Sequence, residues 1–250
     1  MIDDLVSIIT PTYCSESTIK KTILSVQNQS YQNWELLITD DCSNDNTKSI
    51  VESFAKNDKR IKYFSSKKNL GPSAARNKSI EKSRGRWLAF LDSDDLWLPS
   101  KIEESINFLI INNYSFMYTG YKKIDLSDKL ISSYISVPKS LNYEKLLGNT
   151  AIATSTVMLD KLYINNFKMP SVYHDDFVAW LSILKNGFMA YGLNKDLMRY
   201  RTGKSSYSSN KFKNVYMVWV TYRNIENISF FLSFFYLIKY ITNALIKHSK

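Results

Sequence analysis

The residues with the clearest chemical potential are aspartates that follow apolar runs. Asp92-Ser93-Asp94 stands directly after the hydrophobic stretch 86–91, with Asp95 next in line. Two carboxylates one residue apart at such a turn are hard oxygen ligands of the kind that suit Mg²⁺ or Mn²⁺. The same acids could also form a solvated turn that caps the helix beyond it. Asp40-Asp41 follows the run 34–39 in the same manner, either as a ligand-facing pair or as the N-cap region of a helix starting near Asp45. Tyr13, two residues after Pro11, could stack on a flat base or sit on a rim. Arg76, in the early turns of a helix that follows Gly71-Pro72, could reach a ribose or phosphate or lie on the surface. No GxGxxG and no GxxxxGK[ST] occurs, so a dinucleotide-binding Rossmann domain and a P-loop ATPase both lose their main support.

The elements that must position these residues alternate along the chain. Apolar runs at 5–9, 34–39, 61–64, 86–91 and 116–119 read as strands. Between them, 18–29, 45–56, 72–83 and 99–112 have helical spacing, and Pro72 suits a first helical turn. Such alternation predicts right-handed βαβ units in a mostly parallel sheet flanked by helices, with ligands beyond the carboxyl ends of the strands. Thr10–Tyr13, Asp40-Asp41 and the aspartates from Asp92 to Asp95 stand at those ends. Past Tyr121 the pattern loosens. A strand at 156–159, a helix at 176–185 and two short strands at 189–193 and 197–200 are expected.

Composition bounds the function classes. Of 250 residues, 44% are hydrophobic and 22% charged, which excludes disorder and fibrous scaffolds, and only 7 Gly and 5 Pro argue against an all-β chain rich in tight turns. The two cysteines, Cys14 and Cys42, cannot build a disulfide framework or a four-ligand zinc site. No basic n-region with an apolar stretch opens the sequence, which reads as a cytoplasmic chain. The net charge is +10, and it is concentrated late. Ten Lys and Arg stand against two acids from Lys195 to Lys250, while the body is nearly neutral. That distribution disfavours nucleic acid as a partner.

Taken together, VSIITPTY, ITDDCSND, NLGPSAARNKSI and WLAFLDSDDLWLP, in this order and spacing, resemble the family 2 glycosyltransferases of GT-A fold, over Val6 to about Arg201. The resemblance implies an α/β GT-A domain at 1–209, with a nucleotide-sugar half at 1–120 and an acceptor half at 121–209. It implies that Pro11, Tyr13 and Asp41 hold the uracil of a UDP-sugar. Asp92 and Asp94 match the family's DxD, with Asp94 as metal ligand and Asp92 as metal ligand or ribose contact. Arg76 matches the arginine of the nucleotide site. VYHDDFVAWLSILKNG resembles the segment that carries the general base at a helix start, so Asp176 takes that role, with Asp175 where the family usually has Glu. The helix dipole favours the ionised form of both. His174 reads as a hydrogen-bonding neighbour or a third ligand. RYRTGKSSYSS resembles a basic, serine-rich loop whose Arg201 and Lys204 close over the diphosphate; a basic linker near a membrane explains it equally well.

The implied activity is inverting transfer from a nucleotide-diphosphate sugar, in the presence of Mn²⁺ or Mg²⁺, to a hydroxyl of a saccharide acceptor. Among bacterial relatives that acceptor is often lipid-linked, in surface polysaccharide assembly. A sugar-nucleotidyltransferase would need a Gly- and Lys/Arg-rich phosphate loop after the first strand, and TPTYCSEST lacks one. A non-catalytic membrane-surface module is the rival from another class. Residues 210–250 form a C-terminal helical extension in this reading. Over 227–247 a helix puts Ser229, Ser233, Tyr236, Tyr240, Asn243 and Lys247 on one stripe, opposite Phe231, Phe234, Phe235, Ile238, Ile241 and Leu245. That amphipathic pattern with basic charge predicts attachment to the anionic inner face of the cell membrane without a span, or packing of the aromatics on the core.

Overall fold

A computed structural model describes residues 4–203 and 211–248. The first half alternates β1 (Val6–Thr12), α1 (Ile19–Gln27), β2 (Trp34–Asp40), α2 (Thr47–Asn57), β3 (Ile61–Ser65), α3 (Pro72–Lys82), β4 (Trp87–Phe90), β5 (Leu96–Trp97), α4 (Lys101–Asn112) and β6 (Phe116–Ile124). There follow β7 (Ser140–Leu141), α5 (Tyr143–Leu147), a 3-10 turn at Thr154–Thr156, β8 (Met158–Asp160), α6 (Asp175–Lys185) and β9 (Ala190–Arg201). The chain ends with α7 (Lys211–Val220), a π turn at Thr221–Ile225 and α8 (Phe230–His248).

One sheet runs in the order β3-β2-β1-β4-β8-β6-β9-β5, with β7 on β9. β3, β2, β1 and β4 are parallel, as are β6 and β9, while β8 joins β4 and β6 antiparallel. β1 and β2 are buried at every position, because helices cover both faces of the parallel part and leave no solvated side to alternate with. Successive side chains enter opposite cores. Ile8, Leu36 and Ala89 meet Ile19, Ile23, Val51 and Ile102 on one face. Ile9, Leu37 and Phe90 meet Trp180, Leu181 and Leu184 of α6 on the other.

Several strand boundaries differ from the sequence expectation: β6 runs past the expected 116–119 to Ile124, and the strand expected at 156–159 is Met158–Asp160. β1 continues through Pro11 to Thr12, paired with β2 at Pro11↔Thr39 and Thr12↔Asp40. The Ile9 carbonyl accepts from Leu91 and that of Thr12 from Asp41. By alternation the Pro11 nitrogen therefore faces the β4 side, where pairing has already stopped at Phe90, and its missing N–H forfeits no ladder bond. The two short strands expected around 189–200 are one strand, β9. The polar Asn194-Lys195-Asp196 reads as a break, but β9 bulges there against β6: Thr119 pairs with Leu193 and Gly120 with Asp196, so Asn194 and Lys195 are the surplus residues.

The C-terminal helix packs inside out. Its polar stripe faces the protein: Ser233 is fully buried, Tyr236 and Tyr240 pack against the α6-side core, and Asn243 Nδ2 donates to the Gly148 carbonyl at 2.6 Å. The phenylalanine face points outward, with Phe231 85% exposed and Phe230, Phe234, Phe235, Ile238 and Leu245 each about half exposed or more. Packing of these outward aromatics on the core, one of the two sequence expectations, is not what the structure shows. Among the described residues no helix is long and apolar enough to cross a membrane.

Candidate active site

The carboxyl ends of β1, β2 and β4 open on one cleft, as a parallel sheet requires. At β2, the Asp41 carboxylate is buried and accepts the backbone amides of Leu70 (3.0 Å) and Gly71 (2.6 Å). Gly71 has φ +89°, a conformation that suits glycine at the turn into α3. Asp40 takes Ser43 N at 2.9 Å and the Tyr63 hydroxyl at 2.7 Å. Tyr13 lies half exposed at the end of β1 above buried Pro11. Cys14 and Cys42 are exposed free thiols with positive φ, 48° and 71°. The Cys14 thiol donates to Asn44 Oδ1 at 3.2 Å.

After β4 the chain turns through Asp92-Ser93-Asp94-Asp95, braced from α1 by Thr22 Oγ1, which donates to the carbonyls of Ser93 (2.9 Å) and Asp95 (3.0 Å). Asp94 stays in contact with solvent, yet partial desolvation in the cleft and the neighbouring Asp92 push its carboxyl up to about 6. Asp95 is buried, accepts the Arg201 amide at 2.8 Å, and is pushed well above the carboxylate range by burial and then by Asp94 and Asp92. Three acids crowded in one turn fit a divalent cation, which relieves their repulsion. No group of three His, Cys, Asp or Glu among the described residues could form a protein cage. The fit is thus to an ion held by one or two carboxylates and completed by substrate oxygens.

Arg76 is buried and sits between two of the aspartates. Its Nη2 donates to Asp92 Oδ1 at 2.7 Å and its Nη1 to Asp175 Oδ2 at 2.8 Å, while Nε is buried without a partner. It is neither a surface arginine nor a free arm toward ribose or phosphate. Burial pushes the Asp175 carboxyl up to about 6 against the pull of Arg76. Asp176 beside it is more open, with Oδ1 on its neighbouring Phe177 amide (2.7 Å) and Oδ2 on the Thr154 hydroxyl (2.8 Å). The start of α6 is held against the β4 turn by aromatic packing. Trp180 stacks on Phe167 at 5.7 Å and meets Phe90, two residues before Asp92, edge-on at 5.4 Å. His174 Nδ1 is buried without a partner, and burial lowers its imidazole pKa.

A family model described as glycosyl transferase family 2 matches residues 7–163, which contain the β1, β2 and β4 ends just described. This chain is a family 2 glycosyltransferase. The glycosyltransferase is 41% identical over 251 residues to the UDP-Glc:alpha-D-GlcNAc-diphosphoundecaprenol beta-1,3-glucosyltransferase WfgD of Escherichia coli, covering 100% of this chain and 97% of that one. It is 40% identical over 244 residues to a Bacillus subtilis protein provisionally assigned to teichuronic acid biosynthesis as the glycosyltransferase TuaG, with 97% of each chain covered. Among solved structures, the mannosyltransferase PcManGT of Pyrobaculum calidifontis, in complex with GDP-Man and Mn²⁺, superposes with a TM-score of 0.72 at 15% identity, covering 98% of this chain and 75% of that one. That likeness is one of fold, the GT-A arrangement.

Of the remaining side chains around the site, Arg201 and Lys204 are expected from the sequence, whereas Ser155 and Lys101 carry no sequence signal. Arg201 ends β9 rather than standing in a loop, and its guanidinium is committed to the carbonyls of Asp94 (2.6 Å) and Asp125 (2.9 Å) and to Asp128 (2.5 Å), with Nη2 buried and unpartnered. Lys204 lies outside the described residues. Ser155 accepts the Asp92 amide at 3.0 Å. Lys101 is fully buried and its amine, lowered by that burial to about 7, reaches the Thr156 carbonyl at 3.1 Å. A serine in a polar stretch and a lysine among helix charges look like surface residues, so only the packing reveals them.

Proposed function

We propose that this enzyme transfers a sugar, with inversion, from a UDP-sugar to a hydroxyl of a lipid-linked saccharide in surface polysaccharide assembly. The observation that carries it is the meeting of Asp92 and Asp175-Asp176 across Arg76, which brings two acid clusters from distant parts of the chain to one cleft. The UDP donor and the undecaprenol-linked acceptor in the name of WfgD support the substrate classes. Residues 1–120 bind the nucleotide sugar, with Pro11, Tyr13 and Asp41 at the uracil and Asp92 near the ribose. Residues 121–209 face the acceptor. Asp175, held by Arg76, keeps Asp176 in place, and Asp176 removes the proton from the acceptor hydroxyl, a poor nucleophile while protonated. The hydroxyl then attacks the anomeric carbon from the face opposite the nucleotide, without a covalent intermediate. Asp94 and Asp92 would hold Mn²⁺ or Mg²⁺, which supplies charge stabilisation to the departing diphosphate. Arg201 and Lys204 add positive charge beside it.

Titrating UDP-sugars with and without Mn²⁺ tests this reading. Binding should strengthen with the metal, and Asp94→Ala should abolish that gain and cost about 10²-fold or more in turnover. Near-wild-type turnover in Asp94→Ala would overturn the metal assignment.

The extension at 210–250 is proposed to rest on the anionic inner surface of the cell membrane. Support comes from the outward phenylalanine face of α8, with Lys239 on the same helix. The opposite face of α8 packs on α6, where the Phe177 and Tyr240 rings lie 6.1 Å apart, so a bilayer under α8 would bring a lipid-linked acceptor to the Asp176 side. Phe231→Ser/Phe235→Ser should weaken sedimentation with anionic vesicles by roughly 30-fold, about 2 kcal/mol of apolar burial, with donor hydrolysis in solution unchanged. Undiminished vesicle binding in that variant would refute the membrane role of this face.

A further inference from the structure

We propose that Thr154 is a positioning residue for the base, and that the turn Thr154–Thr156 sets the separation between the donor carboxylates and Asp176; this rests on Asp176 acting as the base. The turn is clamped from three directions. The Asp92 amide donates to Ser155 Oγ at 3.0 Å, from the carboxylate turn itself. Trp97 Nε1 donates to the Ser155 carbonyl at 2.8 Å, and buried Lys101 Nζ to the Thr156 carbonyl at 3.1 Å. The Phe90 amide reaches the Val157 carbonyl at 3.2 Å, tying the end of the turn to β4. From this clamped turn the Thr154 hydroxyl extends to Asp176 Oδ2 at 2.8 Å.

The consequence is a rigid path of hydrogen bonds from Asp92 through Ser155 and Thr154 to Asp176, separate from the ionic path through Arg76. The two paths grip different atoms. Arg76 holds Asp175, whereas Thr154 holds the carboxylate of Asp176 itself. The other Asp176 oxygen accepts the amide of the adjacent Phe177, so among the described residues the Thr154 hydrogen bond is what ties this carboxylate to a distant part of the fold. A carboxylate held at one oxygen by a fixed hydroxyl keeps its rotamer while the remaining lone pairs stay available to an incoming hydroxyl. Thr154 itself is almost fully buried, which restricts its own rotation. The residue touches neither nucleotide nor acceptor in this reading and acts through Asp176 alone.

Thr154→Val keeps the shape and removes the hydroxyl, and Thr154→Ser keeps the hydroxyl. In full-length enzyme, Thr154→Val should lower kcat by about 10- to 100-fold, the range a misplaced catalytic group produces. The KM and Kd for the UDP-sugar should stay within about two-fold, since donor contacts are untouched. Thr154→Ser should recover most of kcat, and Thr154→Val/Asp176→Asn should be no slower than Asp176→Asn alone. Wild-type kcat in Thr154→Val, an equal loss in Thr154→Ser, or a multiplicative loss in the double variant would each overturn the inference. Should Asp176→Asn itself retain activity, the base assignment fails instead, so the two failures are distinguishable.

Discussion

Asp176→Asn should bind the nucleotide sugar as the wild type does and transfer it about 10²–10⁴-fold more slowly. Asparagine conserves size, its Oδ1 can still accept the Phe177 amide that Asp176 accepts at 2.7 Å, and its Nδ2 can donate to the Thr154 hydroxyl oxygen in place of the 2.8 Å bond that Asp176 accepts. What it loses is the capacity to take a proton from the acceptor. The change therefore falls on kcat with saturating donor, while donor affinity measured by calorimetry remains. Asp175→Asn provides the contrast. Asp175 is buried and bonded to Arg76, so its variant should lower stability as well as rate. Full activity in Asp176→Asn, together with a rate loss and wild-type stability in Asp175→Asn, would exchange the two roles.

Arg76→Met is expected to destabilise the fold by about 3–5 kcal/mol, the range found when one partner of a buried ion pair is removed. Methionine fills much of the volume, so the loss reports charge rather than a cavity. Two carboxylates, Asp92 and Asp175, would be left facing each other without the guanidinium that lies 2.7 and 2.8 Å from them. The deficit should depend on pH with a definite sign. Burial already holds Asp175 at about 6, above the 3.8 of an unburied aspartate. A carboxyl raised in the folded state costs stability as pH climbs through its folded pKa. Removing Arg76 withdraws a lowering influence and raises that pKa further. Urea midpoints should therefore separate the variant from the wild type more at pH 8 than at pH 5. An unchanged midpoint at pH 8 would show that Arg76 is dispensable to the site's architecture.

The doubly covered half of the fold was legible along the chain because its strands are continuous apolar runs and its helices keep a 3.6-residue period. The acids were legible too, since polar residues after such runs must lie at the carboxyl ends of parallel strands. β5 and β7 have only two residues each, too few to show a period. They are strands because neighbours offer them a ladder. β9 passes through Asn194-Lys195-Asp196 for the same reason, bulging by two residues between Leu193 and Asp196 to keep its pairing with β6.

The site divides along the same line. Residue type and order marked Asp92 and Asp94 as carboxylates in search of a substrate, and the family resemblance added Asp176. That Arg76 closes the distance between Asp92 and Asp175, and that Arg201 grips the Asp94 carbonyl from the end of β9, depended on contacts between residues far apart in sequence, which no local pattern encodes. The α8 helix makes the point most plainly. Its two faces could be listed from spacing alone, but spacing is symmetric with respect to which face turns inward. The Gly148 carbonyl accepts Asn243 and the α6-side core takes the Tyr236 and Tyr240 rings, and once that face is seated against the protein the phenylalanines have only the outside left.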